Sequence, residues 1–247
     1  MNSINNLSGR IKRRERVKGS MLAGDLRFKL MTRPYKLYVY NFAPDDGAEL
    51  LFVKGWNNDK VLVHPNKFPW INISLNKHSE ELTKNGHHPL TAIGFEYTNN
   101  VVKHLLKEHA DDFDKFVTYD GKKNWYGKQM DVIKIAYDDY KFENYTVVGN
   151  ENLFDIDAKL KVPAYKILEL NSKVNNFLDV KAGQVIKVPN VYAKEMVIMV
   201  DPDNHLPVVQ LIFDDKGLFE KYEYSEVKVN RKFSTNDFLD TNEAYGF

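Results

Sequence analysis

Cysteine is absent from the 247 residues, so a disulfide framework, a thiolate metal site and a cysteine nucleophile are all excluded. Long apolar runs are missing too, and nothing approaches the ~20 consecutive apolar residues of a membrane-spanning helix. There is no excess of charge of either sign. Lys and Arg number 35 against 34 Asp and Glu, a formal net charge of +1, so no general field draws the chain to nucleic acid or anionic lipid. The opening MNSINNLSGRIKRRERVKGS has basic residues but no apolar core and does not read as a signal peptide; an exported protein would carry its signal outside this chain.

What is present is the composition of a soluble globular protein, 43% hydrophobic and 28% charged. The raised value is the aromatic content of 13%, which suits half-buried strands and broad apolar cavities. The length accommodates one domain of ordinary size plus a small module.

Residues Ser3 to Glu15 read as a basic amphipathic helix on Ile4, Leu7 and Ile11, with the run Arg10 to Arg16 as its solvated face. From Val17 the period becomes two. Gly24 to Met31, Tyr35 to Phe42, Glu49 to Lys54 and Lys60 to His64 alternate, separated by turn formers, and predict an antiparallel meander. Asn66 to Leu75 predicts an edge strand or a flap. A helix is expected from about Phe95 to His109, with Val101, Val102, Leu105 and Leu106 on one face. Lys123 to Tyr137 predicts a hairpin turning near Gly127, and strands recur over Lys194 to Val200, Leu206 to Phe213 and Leu218 to Asn230. His78, His87, His88, His104 and His109 lack any HExxH or paired-acid spacing and read as turn and surface residues, so no metal or other cofactor is expected.

The middle stretch Tyr145 to Pro189 reads as a unit of its own. A strand ends at Gly149, and Asn150, Glu151 and Asn152 offer caps to a helix burying Leu153, Ile156 and Leu160. Val162-Pro163 stops it, a second helix runs from Ala164 to Leu170, and Asn171 suits the left-handed conformation that ends one. Gly183 to Pro189 alternates as a strand. In Tyr145-Thr146-Val147, Gly149 through Leu153, Leu170-Asn171 and Gly183-Gln184-Val185-Ile186-Lys187-Val188-Pro189, the stretch resembles the LysM module, departing from it in the longer Gly149-Asn150-Glu151-Asn152 turn. The resemblance implies a βααβ fold that binds N-acetylglucosamine polymers such as peptidoglycan. Its glycan-binding residues would be Gly149, Asn150, Glu151, Asn152, Leu153, Asn175, Asn176 and Phe177.

The flanking strands are expected to make one sheet interrupted by this insertion, with residues 1–141 and 192–247 forming a discontinuous domain and 142–191 the inserted one. Met199-Val200-Asp201, Leu206-Pro207, Asp214-Asp215-Lys216-Gly217 and Asp237-Phe238 resemble outer-membrane lipoprotein carriers of the LolA/LolB kind. Arg33-Pro34, Leu62-Val63-His64-Pro65 and His88-Pro89 are similar to an uncharacterised exported bacterial family. The implied class is α+β, a curved antiparallel half-barrel wrapped round helices. Phe28, Tyr38, Phe52, Trp70, Trp125, Met130, Met199, Phe213 and Phe219 would line an apolar cavity or fill a dry core.

The function so implied is a non-enzymatic extracytoplasmic binding protein, peripheral to membranes at most. Its partners would be peptidoglycan or a related glycan, and a lipid or lipoprotein. The alternatives are an insert that serves only as a protein-interaction element, and a cell-envelope hydrolase using His87 or His88 with an acid such as Asp201, for which no nucleophile motif is present.

Overall fold

The computed structural model describes residues 4–68 and 70–247, so Ser3 and Pro69 lie outside the described residues. Six strands come first, β1 (Asn6–Val17), β2 (Ser20–Thr32), β3 (Tyr35–Ala43), β4 (Glu49–Val53), β5 (Lys60–His64) and β6 (Ile73–Asn76). Helices α1 (Glu80–Thr83) and α2 (Glu96–Glu108) lead to the hairpin β7 (Val117–Trp125) and β8 (Lys128–Ala136). Then follow β9 (Phe142–Thr146), α3 (Leu153–Leu160), α4 (Ala164–Leu170) and β10 (Val185–Pro189), and finally β11 (Glu195–Val200), β12 (Pro207–Asp214) and β13 (Gly217–Val229).

Eleven strands form one unclosed sheet in the order β6-β5-β4-β3-β2-β1-β13-β12-β11-β8-β7, while β9 and β10 form a separate antiparallel pair. The pairings β2–β3, β3–β4, β4–β5, β5–β6, β7–β8, β8–β11 and β11–β12 are all antiparallel. The fold is therefore α+β, a large antiparallel sheet with few helices. β8 pairs with β11, the two strands lying on either side of the βααβ segment in the chain.

The opening segment corrects the expected basic helix, because residues 6–17 are a strand. Leu7, Gly9 and Ile11 recur at every second position and are all buried. Gly9 passes so close to its neighbours that a Cβ there would meet the Phe28 ring at 3.3 Å and the Ser225 carbonyl oxygen at 3.1 Å. The basic residues are not simply solvated, since Arg10 forks onto Asp25 with distances of 2.7 and 2.8 Å.

The chain divides into two compact units. The first comprises Met1–Arg14, Leu22–Leu82 and Tyr222–Phe247. Its final residues fold back on its own sheet: Phe238 packs with Tyr38 and Leu51, and Tyr245 stacks on Tyr38 with ring centroids 3.8 Å apart. Lys29 ties this segment down by donating to Asp237 and to the Tyr245 hydroxyl.

The second unit comprises Glu15–Met21 and Thr83–Lys221 and contains the βααβ segment. Asn152 caps α3, accepting from the Phe154 and Asp155 amides, while Asp155 accepts from the Asn152 amide in return. Lys161 ends α3 in the left-handed conformation at φ 57°. Asn171 does not adopt that conformation; its φ is −121°. Its side chain instead donates to the Ile167 and Lys187 carbonyls and accepts from the Lys187 amide, so it joins the end of α4 to β10 through hydrogen bonds that its own backbone turn could not make.

Candidate functional site

The turn after β9 and the loop after α4 come together as the two rims of one surface. The Leu153 amide donates to the Phe177 carbonyl at 2.8 Å, and beneath that bond the rings of Phe154 and Phe177 stack at 4.5 Å. Leu153 and Phe177 are buried, so of the residues expected at this site they form its floor. Gly149 and Asn150 are exposed, with Gly149 at φ +58°, a conformation that suits glycine.

The polar side chains of the rims are engaged within them. Glu151 accepts from the Lys159 amine, the Tyr145 hydroxyl and the Val148 amide, and these donors hold its carboxyl down at about 2. Asn152 caps α3, Asn176 accepts from the Leu178 amide, and Asn175 donates to Asp179. Three apolar side chains also face outward here: Val148 is 59% exposed, Leu178 51% and Val185 60%.

Behind this surface, within the same unit, lies a buried polar cluster that local sequence does not reveal. Glu220 of β13 has no exposed side-chain surface, and its carboxylate accepts from His87 (2.8 Å), His88 (3.1 Å) and the Tyr192 hydroxyl (3.1 Å). The second nitrogen of His87 lies 2.9 Å from the Arg16 carbonyl oxygen. Both ring nitrogens of His87 thus face oxygen partners. Its ring stacks on Tyr165 of α4 and packs at a tilt against Phe219, each with centroids at 4.2 Å.

Burial opposes charge on His88, but the neighbouring Glu220 carboxylate outweighs it and pushes the pKa up to about 9. Burial likewise disfavours the Glu220 carboxylate, which His88 and His87 nonetheless hold well below the usual range. Asp157 of α3 accepts from the Tyr97 hydroxyl of α2 at 2.9 and 3.0 Å; burial raises it to about 6 against the pull of His88.

A second buried knot fixes α4. Lys166, with a side chain 1% exposed, donates to Asp214, Asp215 and Glu169, and Asp214 is shared with Arg16. Burial disfavours both charges, and their mutual hydrogen bonds restore them: Lys166 is raised and Asp214 lowered.

The histidines expected at turns and surfaces therefore need correcting at His87, which is fully buried. The pairing of His87 or His88 with Asp201 does not form: both histidines meet Glu220, and Asp201 is held by Lys128 and by the Asp203 amide. Of the residues expected to line an apolar cavity, Phe28, Tyr38 and Phe52 are buried in the first unit, and Met130, Met199 and Phe219 in the second. Trp125 and Phe213 are half-buried. Trp70 departs from that set and stands 60% exposed. Among the described residues no group of His, Cys, Asp and Glu is placed to hold a metal ion, and no helix is long and apolar enough to cross a membrane.

The model of a family described as "Protein of unknown function (DUF1571)" matches residues 4–167. No curated protein matches the chain. Among solved structures, a DUF1329 family protein from Desulfovibrio piger is 9% identical over 97% of this chain and 91% of its own, with a TM-score of 0.39. The lipoprotein LppX of Mycobacterium tuberculosis is 12% identical, covering 94% and 90%, with a TM-score of 0.42. A LolA superfamily protein from Nitrosomonas europaea is 10% identical, covering 96% and 91%, with a TM-score of 0.30.

Proposed function

The chain belongs to the family described as Protein of unknown function (DUF1571), a description that assigns no activity, and from its own geometry we propose a non-enzymatic, extracytoplasmic binding protein. The observation that carries this is the surface of the βααβ segment, where Glu151 and Asp179 are held by neighbouring side chains while Val148, Leu178 and Val185 face out. Such a surface offers apolar contact and main-chain hydrogen bonding. His87, the most suggestive catalytic side chain, is fully buried and packed against two aromatic rings.

The ligand class we assign to this surface is an N-acetylated glycan of the peptidoglycan or chitin kind, in keeping with the LysM-like order β9-α3-α4-β10. Peptide groups at Gly149 to Leu153 and at Phe177 would meet acetamido groups, and the exposed aliphatic side chains would meet the apolar faces of the sugar rings. The test is retention on purified peptidoglycan and on chitin beads. Wild type should be retained, with Val148→Asp and Leu178→Asp each lowering retention at least tenfold. Failure of the wild type to be retained on either polymer overturns the assignment.

A second reading keeps the segment as a protein-interaction element without sugar binding. It is favoured by the internal hydrogen bonds of Asn152, Asn175 and Asn176, whose amides would otherwise be the best partners for an acetamido group. For the large sheet we propose a lipid-like or lipoprotein ligand. Phe28 and Phe219 are 0 and 1% exposed, so an acyl chain would have to part packed side chains to enter. Native mass spectrometry of protein from its own host should show co-purifying lipid, and a bare chain mass would remove this part.

A further inference from the structure

The connection between β5 and β6, in the first unit, exposes Phe68 at 83%, Trp70 at 60% and Ile71 at 58%, and Ile73 at the start of β6 adds a fourth large apolar side chain at 39%. Leaving such groups in water is unfavourable, and a fold that could bury them would gain by doing so. This connection instead holds them out. Asn66 donates to the Asp46 carbonyl at one end, and His64 meets Asn72 at 2.9 Å at the other. The Trp70 amide closes a turn onto the Lys67 carbonyl at 2.8 Å. Trp70 itself sits at φ +58°, a strained conformation for a residue with a bulky side chain, so backbone strain and apolar exposure fall on one residue.

We propose that this connection is a membrane-docking crest, in which Phe68, Trp70 and Ile71 enter the interfacial layer of a lipid bilayer. Size separates a lipid surface from a protein partner. With roughly 150–250 Å² on each aromatic side chain, the crest presents on the order of 400 Å² of apolar surface, about half of the roughly 800 Å² each partner buries in a stable protein interface. Trp and Phe on a narrow crest suit the boundary between headgroups and acyl chains, where aromatic rings collect. Charge selects the kind of lipid: Lys67, the cation next to Phe68 in the chain, is already paired with Asp45 at 3.2 Å, so it adds little to attract anionic headgroups. Docking is therefore apolar, indifferent to headgroup charge and insensitive to salt. It is independent of the βααβ surface, and loss of glycan retention would leave it untouched.

The test is flotation with phosphatidylcholine vesicles at low and high salt. Wild type should float in both, and Phe68→Ser/Trp70→Ser/Ile71→Ser should lower the bound fraction at least tenfold with an unchanged unfolding midpoint. The chain has three Trp, so the variant Trp56→Phe/Trp125→Phe leaves Trp70 as sole reporter; its emission should shift to the blue on vesicles and be quenched by brominated acyl chains. Wild type remaining with the soluble fraction overturns the proposal, as does a triple variant that floats equally well. So does self-association in the absence of lipid that the triple variant abolishes while flotation stays unchanged.

Discussion

His87 Nδ1 lies 2.8 Å from Glu220 Oε1, and neither side chain has any exposed surface. The acid comes from β13 and the base from the turn ahead of α2, so the contact ties two distant parts of the chain together within the second unit. Replacing Glu220 by Gln keeps the shape but removes the charge that balances His88. Breaking one side of such a buried pair costs about 3–5 kcal/mol, so urea unfolding of Glu220→Gln should show a loss of that order. A change below about 1 kcal/mol would mean that the cluster is neutral.

The pH dependence follows from His88. Its folded pKa of about 9 stands above the ordinary 6.5, so its contribution is fully present below pH 6.5 and is lost as pH rises through 9. The shift corresponds to a net loss on the order of 3 kcal/mol, the attraction of Glu220 and the neighbouring acids less the cost of burial. Asp157, raised from 3.8 to about 6, acts in the same direction at lower pH, since the folded state binds the extra proton and stability falls between those values as pH rises. Denaturation midpoints measured across pH 6.5 to 9 should decline in wild type and level out in His88→Gln. A flat wild-type profile contradicts the charge balance described.

Lys166 supplies a third test. Lys166→Met fills much the same volume but leaves Asp214 with Arg16 and the Lys216 amide, and removes a cation from among three acids. A destabilisation of about 3–5 kcal/mol is expected. Asp214→Asn should couple strongly to it, so that the double variant is less destabilised than the sum of the two single changes. Additivity within about 0.5 kcal/mol would show the two groups to be independent.

Much of this architecture was legible because the signals are local. Lys60 to His64 alternates and is a strand, Val162-Pro163 separates α3 from α4, and Asn152 supplies the cap that its place before Leu153 suggests. β1 is harder to read, since Leu7 and Ile11 fit a helical face as well as alternate strand positions, and what decides between them, the fit of Gly9 against Phe28 and the grip of Arg10 on Asp25, lies elsewhere in the chain. The buried cluster is harder still. His87 and Glu220 are 133 residues apart and Tyr97 and Asp157 are 60 apart, so no spacing rule brings them together. Trp70 shows a further limit, because apolar periodicity says which side chains prefer burial but not which the fold leaves in solvent.

Asn171 separates two accounts of how α4 ends. If the residue served as a left-handed cap, Asn171→Gly would be neutral or stabilising, because glycine reaches that conformation without strain. In the structure its φ is −121° and its amide bridges α4 to β10 through Ile167 and both the carbonyl and the amide of Lys187. Glycine would lose all three hydrogen bonds and add freedom to the unfolded chain, at a cost of about 2–3 kcal/mol allowing about 1 kcal/mol or less for each exposed bond. Asn171→Asp should fall between wild type and Asn171→Gly, since the carboxylate can still accept from the Lys187 amide but cannot donate to either carbonyl. Thermal unfolding of the three proteins ranks them, and a glycine variant as stable as wild type would restore the left-handed cap.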